Sequence, residues 1–130
     1  MKKLLDANVI IRYLTQDDPH KASRFIRLLQ NNKDEYVLLD VVVAEIVWVL
    51  ESHYEISKIE IVQKLQALIA TATISSRSHL ILLALGYFKN HSVDYIDAYL
   101  AAVAHEEKIA EIISYDEDLD KIKSVERIEP

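Results

Sequence analysis

A chain of 130 residues with 51% hydrophobic content has material for one packed core, and it is expected to form a single domain over residues 1–130. It contains no cysteine, which excludes disulfides, thiolate zinc sites and a cysteine nucleophile and fits a reducing cytoplasm. A formal net charge of −6 argues against a broad basic face gripping nucleic acid, and the lone glycine, Gly86, excludes a Gly-rich phosphate loop.

The first strand reads as residues 3–5, ending at Asp6, and the apolar run 8–14 that follows predicts a short helix. Asp6 and Arg12 interrupt the apolar start too early for the hydrophobic region of a signal peptide, so nothing indicates export. Asp18 followed by Pro19 predicts a helix start, and Ala22, Phe25, Ile26 and Leu29 give that helix one apolar face through about Gln30. Arg12, Lys21, Arg24 and Arg27 fall in the same region, either as a solvated helix face or as an edge that contacts phosphate.

Residues 36–39 predict a second strand, after which Asp40 is expected to cap a long helix reaching about Tyr54. That helix is apolar nearly all round and is expected to be buried, yet its apolar stretch 41–50 is too short to span a bilayer and carries Glu45 in its middle. Ser57-Lys58-Ile59-Glu60 has the capping-box pattern and opens a helix to about Ala70. A short strand at 71–74, helices at 79–89 and 93–108, and strands at 111–114 and 125–128 complete the pattern. Helices alternating with short β-branched strands predict an α/β sandwich with a small, mainly parallel central sheet surrounded by helices.

In such folds the ligand crevice lies beyond the carboxyl ends of the strands, where Asp6 and Asp116 both fall. Taken alone, each reads more readily as a cap or turn residue. Glu45 is the only ionisable residue within 41–50; on a buried helix its carboxylate would have to be paired, hydrogen-bonded or metal-bound. Asp97 is similarly isolated in a run suited to a packed helix, with Asp94 three residues earlier as its N-terminal cap. Several carboxylates gathered without an interleaved lysine repel one another unless a cation lies among them, and hard ions such as Mg²⁺ or Mn²⁺ take oxygen ligands. Metal-assisted hydrolysis of a phosphodiester by an activated water is the chemistry such a set serves.

The segments Leu4-Leu5-Asp6-Ala7-Asn8-Val9-Ile10, Val43-Ala44-Glu45-Ile46-Val47-Trp48-Val49-Leu50, Asp94-Tyr95-Ile96-Asp97-Ala98-Tyr99-Leu100-Ala101-Ala102 and Ser114-Tyr115-Asp116-Glu117-Asp118-Leu119 together resemble the PIN-domain superfamily, most closely its VapC-like toxin ribonucleases. Each motif alone is weak; four in this order, over nearly the whole chain, are specific. The resemblance implies a PIN-like α/β/α fold and a metal-dependent endoribonuclease in which Asp6, Glu45, Asp97 and Asp116 bind Mg²⁺ or Mn²⁺. It also implies supporting roles for Asp94, Asn8 and Ser114, an RNA substrate, a homodimer and inhibition by a cognate antitoxin. Ala7 stands where many relatives have Thr or Ser, and Leu119 where Phe is frequent.

Rival readings are weaker. A haloacid-dehalogenase-like phosphatase needs a second Asp where this chain has Asn8, and a two-carboxylate glycosidase using Glu45 and Asp97 would have one Trp to line a sugar groove. A non-catalytic PIN-like binding module would be expected to lack one of the four acids, and none is missing.

Overall fold

The structure is a computed structural model describing all residues, 1–130, and the chain divides into two compact units, Met1–Ser78 and His79–Pro130. It is of the α/β class, and every strand pairing in it is parallel. The pairings form two separate ladders, one of three strands and one of two. No helix is long and apolar enough to cross a membrane.

The first unit runs β1 (Lys2–Leu4), α1 (Ala7–Thr15), α2 (Pro19–Gln30), β2 (Glu35–Leu38), α3 (Asp40–Ser52), α4 (Lys58–Ile69) and β3 (Ile74–Ser76). The strands lie in the order β1-β2-β3, with Lys3 opposite Tyr36 and Val37 opposite Ser75. Parallel neighbours cannot be joined by a hairpin, so each crossover here consists of two helices. Helix α1 buries Ile10, Ile11 and Leu14 and packs on α2 and α3, where the rings of Tyr13 and Phe25 stand 5.1 Å apart. It stops because Gln16 adopts the left-handed conformation (φ 56°), returning its N–H to the Arg12 carbonyl at 3.0 Å.

The expected α2 start is observed: Asp18 accepts the Lys21 N–H at 3.1 Å and Pro19 occupies the first turn. Ser57 likewise caps α4 by accepting the Glu60 N–H at 3.3 Å. Ser57→Ala removes that acceptor and is expected to lower stability by about 1 kcal/mol, read from the urea midpoint at unchanged slope.

Two expectations about α3 are corrected. Leu39, not Asp40, occupies the capping position and offers no side-chain bond; Asp40 is the first helical residue and pairs with the Arg77 guanidinium at 3.0 Å. The helix is also not buried all round. Val43, Ile46, Val47 and Leu50 face inward at helical spacing, which turns Val41, Glu45 and Trp48 outward. Trp48 is 69% exposed, so apolar composition overstated the burial.

The second unit contains α5 (Ser78–Asn90, beginning at the boundary), α6 (Tyr95–Glu106), β4 (Glu111–Ile113), a 3₁₀ turn (Glu117–Lys121) and β5 (Glu126–Ile128). Phe88 and Tyr95 meet edge to face at 6.0 Å. The small-residue stripe Ala98, Ala101 and Ala102 is fully buried, and α6 packs on β4 and on the 3₁₀ turn. β4 and β5 pair in parallel, Ile112 opposite Arg127. The crossover 114–125 between them is short and carries the 3₁₀ turn instead of an α-helix, with Leu119 and Ile122 buried as its anchors.

Candidate metal centre

Asp94 occupies the capping position of α6, in extended conformation, and its Oδ1 accepts the Asp97 N–H at 2.8 Å. This fixes the first turn and aims Asp97 from the third helical position, where the helix dipole favours a negative group. Asp97 is the one buried acidic or basic residue, 6% exposed, and its Oδ2 is enclosed with no hydrogen-bond partner. A polar atom stranded in this way is costly unless a ligand satisfies it.

Asp116 comes from the β4–β5 crossover. Its N–H donates to Ser114 Oγ at 2.9 Å, and its own Oδ1 caps the 3₁₀ turn by accepting the Asp118 N–H at 3.0 Å. Asp94, Asp97 and Asp116 each offer a carboxylate oxygen within 4.8 Å of the other two. Carboxylates gathered this closely repel one another, and a proton held by one of them relieves the repulsion.

Burial assigns that proton to Asp97. Desolvation, followed by the bond to Asp116 and the charges of Asp94, Asp116 and Asp118, pushes its carboxyl up to about 7. Asp116 moves the other way, held below the usual carboxylate range first by the Asp118 N–H, then by Asp97 and by the charges of Lys121 and Arg127. Lys121 and Arg127, brought near by the turn and by β5, lend positive charge to the Asp116 side of the cluster.

Three oxygen donors, one of them stranded, and no nitrogen or sulfur ligand form a set that fits a hard divalent cation. Of the residues singled out from sequence, the structure brings Asp97, Asp116 and Asp94 into this cluster, with Ser114 fixing the Asp116 backbone. Asp6, Asn8 and Glu45 belong to the first unit. Asp6 follows β1 at the N-terminal capping position of α1, exposed, and its side chain makes no capping bond, so the ordinary structural role for an Asp there is not used. Glu45 is exposed on the outer face of α3, which removes the burial argument that first drew attention to it.

Asn8 accepts from Arg12 Nε at 3.2 Å and lines a groove of about 440 Å³ between α1 and α2. Val9, Phe25 and Leu28 give the groove an apolar lining, and Arg12, Lys21 and Arg24 its charge; Arg27 does not line it. Sequence reasoning missed Arg127 entirely, because its significance depends on partners that the 3₁₀ turn and the strand pairing bring to it.

No curated protein matches the chain. PIN domains are in general metal-dependent nucleases, and the carboxylate cluster is what such an activity requires. The sequence profile of the PIN domain matches residues 3–125, across both units and all the acids named above, and the chain belongs to this family.

Proposed function

We propose that the protein is a Mg²⁺- or Mn²⁺-dependent endoribonuclease, acting as a single nuclease domain over residues 1–130 and as the toxin of a toxin–antitoxin pair. The observation that carries the metal-dependent reading is the enclosed, unpartnered Oδ2 of Asp97, on a carboxylate clustered with two others. Asp97 and Asp116 would hold the ion with Asp94 in support beside them, and Asp6 and Glu45 are the remaining acids assigned to metal binding and the reaction. When bound, a divalent ion supplies Lewis-acid polarisation of the phosphodiester and a water acidic enough to serve as nucleophile near neutral pH.

The residues themselves have distinct tasks. Asp97 gives up its proton to become a ligand, the Asp94 cap holds its backbone in place, and Ser114 keeps the Asp116 backbone in register. Arg12, Lys21 and Arg24 supply cationic groups suited to the phosphates of an RNA strand, offsetting locally the net negative charge of the chain. A cytoplasmic homodimer restrained by a cognate antitoxin completes the reading.

Incubating purified protein with single-stranded RNA, with Mn²⁺ or with EDTA, tests it. Cleavage leaving 5′-phosphate and 3′-hydroxyl ends, lost in EDTA and restored by Mn²⁺, is the expected result. Ends bearing 2′,3′-cyclic phosphate, or full activity in EDTA, overturn it. RNA binding without cleavage under every metal condition would make the chain a binding module instead.

A further inference from the structure

Arg127 makes four hydrogen bonds from one guanidinium. Nε and Nη2 grip both oxygens of Asp120 at 3.0 and 3.1 Å, while Nη1 reaches Glu129 Oε1 at 2.8 Å and the Ser114 carbonyl at 3.1 Å. Its side chain is only 12% exposed, whereas its two acidic partners are more than half exposed. Such an investment at the last strand is not needed to pair β5 with β4, because the backbone ladder does that already. What the bonds join is informative. Ser114 is where the chain leaves β4, and Asp120 lies in the 3₁₀ turn beyond Asp116.

We infer that Arg127 is a positioning residue for the metal centre: its fork ties Ser114 to Asp120 and so holds the segment between them in the shape that presents Asp116 to Asp97 and Asp94. The chain of contacts is continuous. Arg127 holds the Ser114 carbonyl; the Ser114 N–H is fixed on the Ile128 carbonyl at 3.0 Å; Ser114 Oγ accepts the Asp116 N–H; and Asp116 Oδ1 accepts the Asp118 N–H. Only a planar, multi-donor cation can serve a bidentate carboxylate and a carbonyl at once; an ammonium in its place can satisfy part of the set. Arg127 touches neither Asp97 nor Asp94 in any of these bonds, so its effect is exerted through Asp116.

The inference rests on the proposed metal centre, but its test separates the two. Arg127→Lys and Asp120→Asn proteins, folded by circular dichroism, are compared with wild type by amide hydrogen exchange without metal and by Mn²⁺ titration followed by electron paramagnetic resonance. Expected are exchange at least about 10-fold faster at the Asp116 and Asp118 amides and a Mn²⁺ dissociation constant raised about 10- to 100-fold. The Glu126 amide, bonded to the Ala110 carbonyl at 3.0 Å at the far end of the strand pair, should keep its protection. Equal loss of protection at Glu126 would make Arg127 a sheet residue only, and Arg127→Lys behaving as wild type would mean that charge suffices without the fork; either overturns the inference. Should wild type and Asp97→Asn bind Mn²⁺ equally, the metal centre fails, and the exchange data still decide what Arg127 does.

Discussion

Asp97→Asn is expected to lower the kcat/KM of RNA cleavage by more than about 100-fold while leaving the fold intact, since losing even an indirect partner of a metal ligand weakens binding 10- to 100-fold. Asparagine keeps the shape of the protonated acid and can still donate to Asp116, so packing around α6 is preserved and only the charge at the enclosed oxygen is lost. Asp116→Asn, Asp6→Asn and Glu45→Gln are each expected to remove most activity. Asp94→Asn should be milder, within about 10-fold, because Asn caps helices as well as Asp and would still accept the Asp97 N–H. Steady-state cleavage of a fluorogenic RNA, at saturating and at limiting Mn²⁺, measures all five. An Asp94→Asn defect as deep as that of Asp97→Asn would make Asp94 a full ligand, and near-normal activity in Asp97→Asn would remove the cluster from the reaction.

The same substitution is expected to raise the stability of the metal-free protein, and the pH dependence gives the sign. Asp97 titrates near 3.8 when unfolded and near 7 in the fold, so between these values the native state holds more protons than the unfolded chain. Stability from this group therefore falls as pH rises through that window; nothing is lost below about 4, and the full penalty is present above about 7. With solvent reaching the exposed Asp94 and Asp116 side of the cluster, the penalty at pH 8 is on the order of 2 kcal/mol, or about 5–10 °C in Tm. Asp97→Asn should recover it in EDTA at pH 8 and show no gain at pH 4. Saturating Mn²⁺ should stabilise the wild type, by about 3 kcal/mol at a hundredfold excess over Kd, and the variant far less. A variant less stable than wild type in EDTA at pH 8 would mean that Asp97 serves packing and hydrogen bonding alone.

Local chemistry accounts for what the sequence disclosed. Asp18 before Pro19 and Ser57 before Glu60 place helix starts correctly because a cap and its target amide lie three residues apart, within reach of any reading window. Asp40 follows the same pattern and misleads, because its partner Arg77 lies far along the chain and draws the carboxylate away from a capping role. Glu45 misleads for another reason. An apolar run of ten residues does not reveal which third of a helix faces solvent, and the outward side here carries Val41 and Trp48 beside the acid. Asp97 was legible because a lone acid among small and apolar residues on a helix stays anomalous however the helix turns. That Asp116 is brought to Asp94 and Asp97, and that Arg127 braces the turn, depend on tertiary contacts that no spacing encodes.

The exposed indole of Trp48 has a practical consequence for how this protein is observed. It is the only tryptophan in the chain, and it already lies in water in the folded state, so its emission should be red-shifted before any denaturant is added and change little on unfolding. Intrinsic fluorescence is therefore a poor gauge of the core, and the melts described above are better followed by circular dichroism at 222 nm. The insensitivity becomes useful in another setting. Trp48 stands one helical turn from Glu45 on the same outer face of α3, so a blue shift would signal a macromolecule covering that face, and quenching by Mn²⁺ a paramagnetic ion arriving at the acid beside it.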